Sequence, residues 1–340
     1  MKKYLSGVLK TVFYIILPIA AILLSMTVGR FDVSFRDVVF SVLQSLGFVK
    51  DSVPFEAYTV VVHLRIPRAV AAAFVGAGLA TSGAAYQGIF KNPLVNSGLL
   101  GVSNGSAFGA ALAIIFFGGA FSINLSAFVF GILAMALSYW IAKIYKTVPT
   151  IMLILGGTIV SSIFSSLLTM LKAVADTANE LPAIVFWTMG SVASVSYKDF
   201  WALIPIIIGI ILIVIFSNHI NVISIGEKQA RTMGVNVKFS KTIVISAATL
   251  CTAGAVCLSG VVGWVGLVIP HIGRMIAGND NKKLVPLSMS VGAVFMVIID
   301  TLSRSITASE IPLSVLTSLI GAPFFIYLLK KTKGGGWHVG

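Results

Sequence analysis

This chain lacks three sequence motifs with which enzymes bind phosphate, coordinate zinc or position a nucleophile. The sequence contains no G-x-x-x-x-G-K-[ST] phosphate loop, no H-E-x-x-H zinc helix and no G-x-S-x-G nucleophile turn. Arg65, Arg68 and Arg304 carry planar guanidinium groups, which bind carboxylates through two parallel hydrogen bonds. The residue types therefore argue against catalysis by this chain.

Acidic residues, histidines and cysteines are few within the apolar stretches. Asp300 lies near the end of one such stretch, and His271 follows Pro270 in another. Because a proton- or sodium-coupled carrier needs polar relays inside the membrane, this scarcity argues against transport powered by the chain itself. Cys251 and Cys257 lie about 9 Å apart along one predicted helix and point in different directions. Neither a disulfide nor a metal site is expected from them.

Ten apolar stretches are long enough to position these residues in a bilayer. Apolar residues make up 57% of the 340 residues and charged residues only 10%, unlike any soluble domain of this size. A spanning helix needs about 20 mostly apolar residues, and these stretches do not alternate as strands would. The sequence predicts an all-α polytopic membrane protein, one domain over 1–340, with helices at 11–29, 66–89, 98–117, 122–142, 149–171, 200–217, 242–258, 261–277, 285–302 and 312–329.

Small residues recur every four positions on the second of these helices. Gly76, Ala80, Ala84 and Gly88 share one face of it. Such a face lets two helix backbones approach closely, so we expect tight helix packing there.

The distribution of Lys and Arg predicts the orientation. With the N-terminus in the cytoplasm, sixteen of the 24 Lys and Arg residues fall in inner segments and eight in outer ones. This asymmetry follows the positive-inside rule and places Arg65, Arg68 and Arg304 outside. The spread of cations over many short turns disfavours a nucleic-acid surface. We expect both termini inside, an uncleaved first helix and a place in the plasma (inner) membrane of a prokaryote.

Three stretches between the spans are long enough for structure of their own. The outer stretch 32–58 predicts an amphipathic helix after Ser34, and the outer stretch 172–199 predicts a surface or re-entrant helix. Residues 218–241 form the longest predicted inner loop. No second soluble domain is expected.

Four strings of residues carry a resemblance to a known family. They are RIPRAVAAAFVGAGLATSGAAYQGIFKNPLVNSGLLGVSNGSAFGA (65–110), GEKQARTMGV (226–235), SGVVGWVGLVIPHIGRMIAG (259–278) and EIPLSVLTSLIGAPFFIYLL (310–329). In this order they resemble the permease subunits of ABC importers for iron-siderophores, haem and cobalamin, the ten-helix type II importers. The resemblance extends over nearly the full length of the chain.

The resemblance implies a larger machine. Two permease subunits pair, here expected as a homodimer, and two cytoplasmic ABC ATPase subunits bind below them. An extracytoplasmic binding protein delivers the ligand from above. ATP and Mg²⁺ are then expected on the ATPase subunits, with no cofactor, metal or catalytic residue in this chain.

The resemblance also implies roles for twelve residues. Three arginines dock acidic residues of the binding protein, the string 226–235 couples to the ATPase, and two short turns form a cytoplasmic gate. The positions are Arg65, Arg68 and Arg304 for docking, Glu227, Ala230, Arg231, Met233 and Gly234 for coupling, and Asn92, Leu94, Pro149 and Thr150 for the gate. The alternatives are arginines anchored at the membrane interface, an ordinary solvated loop and a structural Asn-Pro turn.

The expected function is inward movement of a metal chelate by alternating access. Iron(III)-siderophore is the first expectation, and haem, cobalamin and molybdate stay open. An ion-coupled secondary transporter is the alternative, and a membrane-embedded enzyme comes third. The sequence leaves the ligand and the residues that line its pathway undetermined.

Overall fold

Helices account for the regular structure of the described part of the chain. The computed structural model describes residues 2–50, 53–143, 149–307 and 309–331. Within these ranges no strand occurs, and the helices are α1 Lys2–Ser25, α2 Phe35–Ser45, α3 Phe55–Thr59, α4 Ile66–Phe90, α5 Val102–Phe116, α6 Ala120–Lys143, α7 Thr150–Val174, α8 Glu180–Met189, α9 Leu203–Ile215, α10 Ser217–Ile225, α11 Glu227–Thr232, α12 Val237–Ser259, α13 Val265–Ala277, α14 Asn281–Ser305 and α15 Leu313–Lys331. A π-helical turn, Val60–Arg65, joins α3 to α4, and a 3₁₀ turn, Tyr197–Ala202, precedes α9.

Each predicted apolar stretch coincides with one of these helices. Six helical stretches in the described ranges are long and apolar enough to cross a membrane: Phe55–Phe90, Ala120–Lys143, Thr150–Val174, Tyr197–Ile215, Val237–Ser259 and Asn281–Ser305. Shorter apolar helices accompany them at Tyr14–Ser25, Val102–Phe116, Glu180–Met189, Val265–Ala277 and Leu313–Tyr327. The all-α membrane architecture is confirmed. The number of ten spans and their orientation stay predictions.

The stretches between the spans are more helical than the sequence predicts. The expected amphipathic helix is present as α2, and the Ser34 hydroxyl caps it by accepting from the Asp37 N–H at 3.1 Å. Much of the inner loop predicted at 218–241 is helical, and α12 begins five residues earlier than predicted. That boundary was wrong because Asn236 caps α12 and Lys241, counted as a loop cation, is buried.

Some predicted features fall outside the described residues. The inner turn at 144–148, with Lys146, and the C-terminal residues 332–340, with Lys333, are among them. The expectation of a cytoplasmic C-terminus concerns this part of the chain.

Helix α4 lies at the centre of the bundle. Of its 25 residues, 21 are buried, and it packs against α14, α12 and α13. A Cβ atom added at Gly76 would lie 2.0 Å from the Gly292 carbonyl oxygen, and one at Gly83 would lie 1.9 Å from the Gly266 carbonyl oxygen. No side chain fits at either position, so the tight packing expected on this face of α4 is confirmed.

Antiparallel packing of α4 and α14 gives the bundle two ends of different character. Arg68 meets Asp300 at one end, and Gly88 lies beside Asn281 at the other. We call the first end, which carries Arg65, Arg68 and Arg304, the arginine face. We call the second end, which carries 91–94 and 226–235, the loop face.

Candidate functional sites at the two faces

Arg65 ends the π-helical turn before α4 and is almost entirely buried. Its guanidinium donates hydrogen bonds to the Met26 carbonyl and, at 2.5 Å, to the Phe31 carbonyl. Both acceptors belong to the segment that follows α1. Arg65 therefore fixes this segment to the start of α4 by satisfying backbone carbonyls that would otherwise lack donors.

Arg68 lies one turn further and binds two carboxylates. Its Nε donates to Asp300 at 2.8 Å, and its two terminal nitrogens donate to Glu310 at 2.6 and 3.0 Å. The side chains of Arg68 and Asp300 are 11% and 3% exposed, whereas Glu310 is 29% exposed. Glu310 precedes α15, so one guanidinium connects α4, α14 and the approach to α15.

Arg304 completes the cluster from the end of α14. It donates to the carbonyls of Ser25 and Val28 at 2.5 Å each, and its Nε lies 3.7 Å from Asp300. Asp300 thus lies between two guanidinium groups, which offset the cost of burying its charge. We call Arg65, Arg68, Arg304, Asp300 and Glu310 the arginine cluster.

The three predicted arginines therefore share one face, but their donors bind groups within the chain. Sequence reasoning singled out Asp300 as an ionisable residue in a span and missed its pairing with Arg68. It assigned no role to Glu310. The sequence did indicate that such partners must exist, since each arginine buried in an apolar helix needs a carboxylate or carbonyl partner.

The first pair of gate residues forms a tight turn after α4. Lys91 ends the helix in the left-handed conformation, with φ 50°, and the Asn92 side-chain oxygen accepts from the Leu94 N–H at 2.9 Å. The Leu94 side chain is 52% exposed at the loop face. Asn92 therefore shapes the turn, and Leu94 is the residue presented outward.

The second pair of gate residues begins α7. Pro149 is the extended residue before the helix, and Thr150 is its first residue. The Thr150 hydroxyl accepts a hydrogen bond from the Lys241 ammonium at 3.2 Å. The start of α7 is thus connected to α12.

The five predicted coupling residues divide into internal and external groups. Ala230 is fully buried with Ile223 and Val237, so it anchors α11 and cannot touch another chain in this conformation. Glu227 binds Lys241 at 2.5 Å. Arg231, Met233 and Gly234 are exposed and form the outer surface of the segment.

Gly234 turns the chain between α11 and α12. Its φ of 79° is left-handed, and its N–H donates to the Arg231 carbonyl at 3.0 Å. Nothing lies within 4 Å of the position of an added Cβ. The glycine is therefore required by backbone conformation and not by lack of space.

Asp280 connects the loop face to α14. It caps that helix and accepts from the Asn221 amide of α10 at 2.8 Å. Partial burial opposes ionisation of the carboxyl, but the hydrogen bonds from Asn221 and the Lys282 N–H, with the charges of Lys283 and Lys282, lower the pKa of Asp280. An ionised carboxylate at the start of α14 also suits the helix dipole.

A stripe of hydroxyl groups follows one exposed face of α7. The residues share a helix face and are exposed in the chain: Thr158, Ser162, Ser165, Ser166 and Thr169. Thr158, Ser162 and Thr169 each donate to the carbonyl four residues earlier. The sequence analysis named no residues that line a ligand pathway, although the pattern T-x-x-x-S-x-x-S-S-x-x-T marks these five positions within an apolar stretch. We call these five residues the hydroxyl stripe.

The chain is similar to known permeases over most of its length. The sequence pattern of the FecCD transport family matches residues 16–331. The molybdate import system permease MolB of Haemophilus influenzae is 38% identical over 325 residues, which are 95% of this chain and 96% of MolB. The cobalamin import system permease BtuC of Halobacterium salinarum is 36% identical, covering 83% of this chain and 76% of that protein.

A solved structure is similar in fold as well as in sequence. It is an ABC transporter assigned to the metal-chelate type, in an inward-facing conformation. The TM-score is 0.84 at 36% identity, and the match covers 94% of this chain and 98% of that one. The likeness therefore extends over nearly the whole chain.

The arginine cluster predicts a strong dependence of stability on Arg68. Replacing it by Gln leaves Asp300 buried with Arg304 as its remaining partner, so the free energy of unfolding should fall by about 3–5 kcal/mol. Arg36→Gln is the matched control, since Arg36 is an exposed cation whose guanidinium lies 5.5 Å from the centre of the Phe40 ring, and its effect should stay within about 1 kcal/mol. Thermal unfolding of the purified protein in detergent measures both.

The double variant Arg68→Gln with Asp300→Asn checks the cause. Removing both charges should recover part of the loss, because no carboxylate is then buried with only the Arg304 group, 3.7 Å away, to balance it. Equal stability of Arg68→Gln and Arg36→Gln would contradict the assignment.

Proposed function

This chain belongs to the FecCD transport family and is an ABC importer permease, and we propose that it moves a metal chelate, iron(III)-siderophore first, into the cytoplasm by alternating access. Two copies would form the pathway between them. An ATPase on the loop face would bind ATP and Mg²⁺ and supply the energy. A binding protein on the arginine face would deliver the ligand.

The observation that carries the proposal is the hydroxyl stripe. A helix face that meets only lipid is expected to be apolar. Helix α7 exposes five hydroxyl side chains along one face, beside a face that exposes Ile159, Ile163 and Leu167. In a homodimer this face would meet the second copy across a wet pathway. Neutral hydroxyls bind a polar ligand weakly, which suits a route that must also release it.

Coupling to the ATPase is proposed for the exposed side of the segment 226–235. Arg231 and Met233 would enter the partner, while Ala230 holds α11 against the bundle and Gly234 sets the turn. A rigid anchor with an exposed tip suits a segment that transmits force. The same ATPase motion would open and close the turn at Asn92 and Leu94 and the start of α7 at Pro149 and Thr150.

Docking of the binding protein is proposed for the arginine cluster. Glu310 is the most exposed carboxylate of the cluster, so an acidic side chain from outside would replace it on Arg68. Arg65 and Arg304 would keep their carbonyl partners and hold the face in shape. Such an exchange favours a weak, salt-sensitive association, as delivery and release require.

Molybdate is a second candidate ligand. The Haemophilus influenzae relative, which matches almost the whole of both chains, is a molybdate import permease. A hydroxyl stripe suits a hydrated oxyanion as well as a polar chelate. Uptake measurements decide between them.

The proposal predicts ATP-driven uptake that needs other chains. In sealed vesicles, this permease with its ATPase and binding protein should accumulate one of iron(III)-siderophore, molybdate, cobalamin or haem when ATP is inside the compartment that holds the ATPase. The permease alone should neither hydrolyse ATP nor transport, because its sequence has no phosphate loop. Uptake by the permease alone under a proton or sodium gradient would contradict the proposal.

The coupling assignment predicts a specific effect of Gly234→Val. A branched side chain at φ 79° costs about 1–2 kcal/mol locally and should distort the turn that follows α11. The complex should still assemble in the membrane, but uptake per ATP hydrolysed should fall several-fold.

Gly47→Val is the matched control for this variant. Gly47 has φ 81° and also has nothing within 4 Å, but it lies after α2, near the arginine face. It should carry the same strain and leave uptake per ATP unchanged. An equal effect of the two variants would show that strain alone, and not coupling, is responsible.

A further inference from the structure

Lys241 is a buried cation that none of the assignments above uses. It lies near the start of α12, and its side chain is 7% exposed. The ammonium group donates to Glu227 Oε1 at 2.5 Å and to Thr150 Oγ1 at 3.2 Å. Lysine is rarely buried this deeply in proteins unless it is paired, so the two partners account for its position.

These two partners belong to different functional elements. Glu227 is the first residue of α11, the helix that carries the coupling segment, and Thr150 is the first residue of α7, which carries the gate residues and the hydroxyl stripe. The two residues are 77 positions apart in the sequence. One ammonium group therefore bridges the N-terminal ends of the coupling helix and the gate helix.

The bridge is not explained by helix capping. A helix N-terminus carries partial positive charge, so a cation there is unfavourable unless an anion is also present. Glu227 supplies that anion to both α11 and Lys241. Thr150 brings no anion of its own, so Glu227 is the carboxylate that balances the ammonium group at both contacts.

A cavity lies beside the bridge. Its volume is about 390 Å³, and it is lined by Pro149, Thr150, Glu227, Arg231 and Lys241, with Tyr139 and Leu153 from α6 and α7. The cavity borders Pro149 and Thr150, and the hydrogen bond from Lys241 reaches α7 beside it, whereas Leu153 is fully buried in the core. A helix end that borders a cavity has room to follow an element to which a hydrogen bond connects it.

Resting on the function proposed above, we infer that Lys241 is a positioning residue that transmits movement of the coupling helix to the gate helix. Movement of α11 carries Glu227, Glu227 carries the Lys241 ammonium, and the ammonium draws the start of α7 through Thr150. The Lys241 side chain is only 7% exposed, so it is withdrawn from the outer surface of the loop face. A merely structural ion pair would stabilise the loop face without changing how α7 responds to nucleotide.

The test follows the accessibility of α7 in the assembled complex with its ATPase. A cysteine replaces Ile151, which is 57% exposed one residue after Thr150, and a membrane-impermeant maleimide is the probe. Cys251 and Cys257 are buried and give little background. The measured quantity is the ratio of labelling rates with and without ATP, beside the ATPase rate and the melting temperature of each variant.

Four variants, each made in the Ile151→Cys protein, distinguish transmission of movement through Lys241 from a merely structural ion pair. Lys241→Met removes both contacts, and Thr150→Val removes only the link to α7. Lys241→Arg keeps a buried cation and should preserve the ratio. Tyr139→Phe is the matched control, since it deletes a 2.9 Å hydrogen bond to Thr242 beside the same cavity but outside the bridge.

The inference predicts that ATP changes the rate at which the cysteine at position 151 is labelled in the parent. In Lys241→Met and Thr150→Val, this effect of ATP on the labelling rate should be about tenfold smaller, as expected for the loss of a hydrogen bond to a charged group. The ATPase rate of each variant shows whether hydrolysis continues when the labelling response is lost. If the ratio is preserved in Thr150→Val, the inference is wrong, and this holds even where Lys241→Met fails to fold. An equal loss in Tyr139→Phe also overturns it.

Failure of the proposed function has a different signature. If ATP leaves labelling of the parent unchanged while the ATPase is active, α7 does not respond to nucleotide at all. That result overturns the alternating-access proposal together with the inference that rests on it.

Discussion

Backbone contact between glycines constrains where the functional residues of this chain lie. Gly76 meets Gly292, and Gly83 meets Gly266, at distances that leave no room for a side chain. The Gly76–Gly292 contact sets the antiparallel register of α4 and α14, and the Gly83–Gly266 contact brings α13 against α4. Since α4 and α14 are both 25 residues long and pack along each other, their register at the centre determines which residues meet at each end.

The two ends of the bundle differ in the contacts that hold them together. At the arginine face, charges are paired within the chain, and Arg68 and Arg304 flank the buried Asp300. At the loop face, the short helices α10 and α11 are attached by the buried residues Ile220, Ile223 and Ala230 and by the Glu227–Lys241 ion pair, and their outer sides stay exposed. The charged groups of the arginine cluster are thus occupied within the chain, whereas the loop face presents exposed residues.

The sequence predicts the positions of the helices well, but it predicts poorly which side chains pair between them. Apolar length locates each span because a membrane helix must satisfy its own backbone, and this rule is local. The charge distribution likewise places the arginines on one face. The pairing of Arg68 with Asp300 joins residues 232 positions apart, and no local rule contains it. Lys241 was placed in a loop because a lysine near an apolar stretch ordinarily marks its end, whereas Glu227 allows this one to be buried.

The central claim is that nucleotide bound to a partner moves a gate formed between two copies of this chain. A cysteine in place of Leu94, exposed at the loop face, tests it by disulfide crosslinking in the complex with its ATPase. The account predicts a crosslink between the two copies whose yield changes with ATP, while the parent, whose cysteines are buried, gives none. A yield that is the same with and without ATP, or no crosslink in any state, would contradict it.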